Sequence, residues 1–146
     1  MDFFLYSFFF VLWFPQYIYA YCWQTGLNPS FSGPPVVSTI SANEVRVSWK
    51  DIVTNRRCAD EFLVKYWKKN FPEDYKKSKL VGTDANFIDL TVLPDTTYIF
   101  QAIAREDKGI LGVDYNKALR VEFRTRNTTN NNVTTESNVD NTSGYY

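Results

Sequence analysis

The chain has 146 residues, room for one domain with extensions, and its 16 Lys and Arg balance 16 Asp and Glu, so its net charge leaves no footprint for nucleic acid. Histidine is absent, which excludes Ser-His and Cys-His catalytic arrangements and every histidine-containing zinc site. Cys22 and Cys58 are an even pair whose meaning depends on the compartment.

Residues 3 to 14 form an apolar, aromatic-rich run too short to span a bilayer comfortably. Pro15 ends it, and Ile18-Tyr19-Ala20 offers a small residue at a cleavage point, so residues 1 to 20 read as a secretory signal peptide. Its n-region carries Asp2 and no basic residue, and aromatics continue to Trp23, so an uncleaved membrane anchor is the alternative. Cleavage places the mature chain, from Tyr21, in an oxidising compartment where Cys22 and Cys58 are expected to form a disulfide. A lipid-anchored Cys22 would need a lipobox, which Tyr19-Ala20-Tyr21 does not resemble.

Residues 21 to 33 make an arm rich in Asn, Pro, Ser and Gly that reads as irregular structure. Pro34-Pro35 leads into a first strand at Val36 to Ile40, whose prolines suit a sheet edge. Val45, Val47 and Trp49 alternate with Arg46, Ser48 and Lys50, a half-buried second strand with its indole inward. A polar loop holding Cys58 follows. Phe62, Val64 and Tyr66 then alternate with Leu63, Lys65 and Trp67 in a third strand. Lys68 to Lys77 is charged and carries Pro72, so only a short edge strand, at Ser78 to Val81, fits between it and the Gly82 to Asn86 turn. Ile88, Leu90 and Val92 mark the fifth strand.

Pro94 cannot donate to a ladder, and Asp95, Thr96 and Thr97 bond readily to their own backbone, so the chain crosses over there. Tyr98, Phe100, Ala102 and Ala104 define the sixth strand. A tyrosine at its start suits a tyrosine corner, ring in the core and hydroxyl bonded back upstream. Glu106 to Lys117, with Gly109 and Gly112, reads as a long hairpin loop, and Leu119, Val121 and Phe123 close the sheet as the seventh strand.

Seven alternating strands separated by turns predict an all-β fold, a seven-stranded antiparallel two-sheet sandwich of immunoglobulin-like kind. Three motifs in order resemble the fibronectin type III family: Val45-x-Val47-Ser48-Trp49, Phe62-x-Val64-x-Tyr66, and Val92-x-Pro94-Asp95-Thr96-x-Tyr98. The resemblance covers residues 34 to 126, with Trp49, Tyr66, Pro94 and Tyr98 as its core signature. Residues 127 to 146 are an Asn-, Thr- and Ser-rich tail without period, expected to be disordered, with glycosylation acceptors at Asn127, Asn132 and Asn141. No apolar run follows the domain.

The resemblance places the third, sixth and seventh strands side by side. Their outward period would then carry Leu63, Lys65, Trp67, Ile99, Gln101, Ile103, Arg105, Arg120, Glu122 and Arg124. Two readings are open: an arginine–tryptophan stack that covers the face, or a protein-binding patch. The loop with Ile110, Leu111 and Tyr115 has more apolar residues than a solvated turn needs, and either caps the core or binds a partner. The partner-binding candidates are therefore Trp67, Ile99, Ile103, Arg105, Ile110, Leu111, Tyr115 and Arg124. Neither the integrin-binding Arg-Gly-Asp of some family members nor the Trp-Ser-x-Trp-Ser of cytokine-receptor modules is present.

No Asp, Glu, Ser or Lys pair stands at a catalytic motif spacing, so no enzyme, cofactor or metal is expected. The expected protein is a secreted binding or adhesion module with an extracellular protein partner and no stable membrane insertion. Its alternative is a membrane-tethered receptor-like fragment. The lysines from Lys65 to Lys79 suggest a glycosaminoglycan as a secondary partner, but Glu73 and Asp74 interrupt them, and such a run also serves as a solvated face.

Overall fold

The computed structural model describes Cys22 and residues 25–127. The expected signal segment, the tail beyond residue 127, and the expected acceptors Asn132 and Asn141 lie outside the described residues. In chain order the strands are β1 (Ser30–Phe31), β2 (Val36–Ser41), β3 (Glu44–Ser48), β4 (Val53–Thr54), β5 (Glu61–Lys68), β6 (Lys76–Lys77), β7 (Val81–Gly82), β8 (Phe87–Thr91), β9 (Thr97–Asp107), β10 (Val113–Lys117) and β11 (Val121–Arg124).

One sheet runs β2-β3-β8. The other runs β10-β9-β5-β6, with β11 also on β9 and β7 also on β5, and every pairing is antiparallel. The inward residues of the two sheets meet in one core: Val45, Val47 and Trp49 against Phe62 and Val64, Ile88, Leu90 and Val92, and Tyr98, Phe100, Ala102 and Ala104. Trp49 stacks on Phe62 with centroids 5.5 Å apart, and its indole N–H donates to the Ala85 carbonyl at 3.0 Å, so the buried ring leaves no polar atom orphaned. Tyr66, half-buried at the margin, stacks on Phe100 at 5.9 Å. Tyr98 Oη accepts the Leu93 N–H at 3.2 Å, which makes the crossover a tyrosine corner.

Eleven strands replace the expected seven, for three reasons. The edge piece is two short strands, β6 and β7, flanking Ser78, whose hydroxyl accepts the Val64 N–H at 2.9 Å. The closing strand is split into β10 and β11. The Glu106 to Lys117 stretch is therefore mostly ladder: β9 continues to Asp107, the tip is 108–112, and β10 pairs back from Val113 to Lys117. Leu119 sits at the break between them and is exposed, contrary to its expected inward place. Finally, the arm is not wholly irregular. β1 pairs with β4, and Phe31 meets the Phe62 ring edge-on at 6.4 Å. Cys22 and Cys58 form the expected disulfide, with Cα atoms 5.7 Å apart, tying the arm to the turn before β5.

Candidate functional site

The outward face of the larger sheet follows from the register. Leu63 stands opposite Ile103, Lys65 opposite Gln101, Trp67 opposite Ile99, and Glu61 opposite Arg105. The alternation held, but the exposure inferred from it did not. Trp67 is only 8 % exposed and Ile103 4 %, and Ile99 is half-buried, so these three do not form an open apolar patch. Arg120 lies over the Trp67 ring with its guanidinium carbon 5.3 Å from the centroid, and the Lys65 ammonium approaches the same ring at 5.6 Å. The cation stack is the reading the structure bears out, with long stems covering apolar surface.

The two rim arginines are also engaged. Arg105 pairs with Glu61 across β9 and β5. Arg124 donates from Nη2 to Asp95 at 2.8 Å. The Glu61 contact holds the Arg105 guanidinium more firmly protonated than usual. Asn127 is exposed at the end of the described residues.

The hairpin of β9 and β10 is different. Its tip is a single 3-10 turn, Gly109–Leu111. Gly109 and Gly112 adopt φ of +60° and +96°, where a Cβ would be strained. Lys108 N–H donates to the Gly112 carbonyl at 2.8 Å, and Asp107 Oδ1 accepts the Gly109 N–H at 2.8 Å. Lys108 Nζ reaches Asp114 at 2.7 Å, and Asp60 accepts the Asp107 N–H, pinning the hairpin to the chain before β5. On this braced turn Ile110 is fully exposed and Leu111 is 69 % exposed, and Tyr115, opposite Arg105 on β10, is half in solvent. The core-capping alternative for this loop is thereby excluded.

Under the tip lies a cleft of about 900 Å³ lined by the Cys22–Cys58 disulfide, Arg57, Asp60, Arg105, Glu106 and Leu111 among others. Sequence reasoning missed it because its walls come from three separated segments. Glu106 is 8 % exposed, and its Oε2 has no hydrogen-bond partner; Lys108 Nζ is 3.8 Å away. Burial raises this carboxyl above its ordinary range, opposed by Lys108 and reinforced by Asp114 and Asp60. Asn116 Nδ2, on the adjoining strand, is likewise buried without a partner. No group of three or more metal-ligating side chains occurs among the described residues, and no helix among them is long and apolar enough to cross a membrane.

No family model matches this chain, and no curated protein matches it. Solved structures do. The fibronectin domains FN1 to FN3 of chicken contactin 1 align at TM-score 0.54 with 19% identity, over 67% of this chain and 32% of that one. This chain thus spans about a third of that structure. The sixth fibronectin type III domain of human fibronectin type III domain containing protein 3 aligns at 0.52 with 19% identity, covering 69% and 89%. A myokine structure aligns at 0.51 with 27% identity, covering 66% and 99%. The sandwich has the fibronectin type III fold, as its three sequence motifs implied.

Proposed function

We propose that this protein is a secreted, non-catalytic recognition module that docks an extracellular protein through the β9–β10 hairpin. The observation that carries the proposal is the braced tip that holds Ile110 and Leu111 in solvent. Exposing two large aliphatic groups side by side costs solubility unless a partner covers them, and a turn already braced by hydrogen bonds loses little entropy on binding. The disulfide supports an oxidising, extracellular setting. The docking surface is smaller than the outward sheet face suggested by the sequence, because Trp67 and Ile103 are covered. Arg105 and Tyr115 flank the tip as its polar rim.

The test is capture from extracellular medium with the folded domain as bait. Ile110→Ser with Leu111→Ser should abolish retention of a captured protein, whereas Val36→Ser, an exposed position on the other sheet, should leave it unchanged. Retention that survives the double change contradicts the assignment. The membrane-tethered alternative is separated by the mass of the mature N-terminus: a start at Tyr21 supports secretion, and an intact Met1 supports the tether.

A further inference from the structure

The zero net charge of the sequence conceals a segregation. All 16 basic residues but only 13 of the 16 acidic ones lie within the described residues, since Asp2, Glu136 and Asp140 fall outside; the sandwich therefore carries a net +3. The excess has a location. On the outward face of the larger sheet Lys65 stands directly opposite Lys77, Lys117 opposite Ile103, and Arg120 over Trp67. Among the described residues none of these four cations has an ion pair, whereas Glu61, Glu122 and Asp95 are matched by Arg105, Lys69 and Arg124, and Asp107, at the hairpin end of β9, is the acid of that face left without one. On the other sheet Arg46 and Asp89 neutralise each other, leaving Glu44. One face of the sandwich is cationic and the other is not.

Like charges directly opposed across two strands cost stability, so the Lys65 and Lys77 pair is not explained by folding. Strands about 4.8 Å apart set the four cations across roughly 14 Å of sheet from β6 to β10. The Lys65 ammonium sits 3.7 Å from the Tyr75 ring centroid and the Arg120 guanidinium over Trp67, so two of them are held by aromatic rings rather than left to wander. We infer that this face binds a sulfated polysaccharide: a linear polyanion with negative groups at regular intervals, laid across β6, β5 and β10. An anionic bilayer fits less well. The exposed aromatic residues of the β5–β6 connection, Phe71 and Tyr75, have Glu73 and Asp74 between them, which a negative membrane would repel. Nucleic acid is disfavoured by the compartment that the disulfide implies. The face does not include the hairpin tip, Gly109–Leu111.

The experiment is a binding titration of the full mature chain with a heparin oligosaccharide, with unsulfated hyaluronan of equal length, a DNA oligonucleotide and phosphatidylserine vesicles in parallel arms. Heparin is expected to bind tightest, with log K falling against log salt at a slope of about −3, from roughly 0.7–0.9 per cation. Lys65→Gln with Lys77→Gln should weaken it roughly tenfold, because each removes a cation next to an anionic surface. Lys50→Gln, in the turn after β3 and also without an ion pair among the described residues, should change it less than about twofold. Thermal melts of each variant establish that it is folded. Absent heparin binding at low salt, equal weakening by Lys50→Gln, or tighter binding to DNA or vesicles would each overturn the inference.

Discussion

Replacing Cys22 and Cys58 together by alanine tests how much of this small sandwich depends on its staple. The cysteines are 36 positions apart, and the loop-closure cost that their bond removes from the unfolded chain is about 4 kcal/mol at 25 °C. In a domain of about 100 residues, each 1 kcal/mol moves the melting temperature by roughly 4 °C or more, so the double variant should melt about 15 °C lower. Cys22 is itself buried, but its loss as packing is small beside the entropic effect. Reducing the wild-type chain should reproduce the whole drop, because it breaks the bond and keeps the side chains. The bond also holds the arm that supplies β1, so the β1–β4 amides should exchange faster in the variant while the core amides of β3, β5 and β9 keep their order of protection. A melting shift under about 4 °C in both the variant and the reduced protein would mean that the denatured chain is already constrained without the bond, and that the disulfide is not the main staple.

Tyr98→Phe keeps the ring in the core and strips the acceptor from the Leu93 N–H, so urea unfolding should show a loss of about 1–3 kcal/mol with an unchanged m-value. Trp49→Ala should cost about 3–5 kcal/mol by opening a cavity against Phe62 and orphaning the Ala85 carbonyl, measured in the same way. Glu106 titrates in the fold above its ordinary value of 4.5, so its contribution is fully present below that pH and is lost as pH rises through the raised value; a stability profile of Glu106→Gln should lack that decline. The Arg105–Glu61 pair is about one-third exposed on both sides, and a double-mutant cycle should return a coupling of only about 0.2–1 kcal/mol.

Much of the fold was legible because alternation reports directly which side chains meet. Val45, Val47 and Trp49, or Ile88 and Leu90, can point only one way once the strand is recognised, and the Pro94 to Tyr98 corner fixes where the chain changes sheets. Other features were not legible. Val113-Asp114-Tyr115-Asn116-Lys117 contains residues depleted in strands, and it is extended because β9 offers it a complete ladder, a tertiary effect that local preference does not carry. The burial of Trp67 was hidden for a related reason. A period of two tells which side a residue faces, not whether that side is covered, and the cover comes from Arg120, where the chain breaks between β10 and β11. The hairpin tip was named correctly as apolar, but only its two glycines at positive φ and its pinned base show how it is held out. The cationic face was obscured by summing charge along the chain, a quantity blind to which side of a sheet each charge occupies.

Photo-crosslinking in extracellular medium shows whether a partner docks on the β9–β10 tip. A photoreactive residue placed at Leu111 is compared with one at Ile40, an exposed site on the opposite sheet. Docking on the tip should give a discrete crosslinked protein from position 111 and none from position 40. Crosslinking from position 40 alone, or the same product from both, would contradict it.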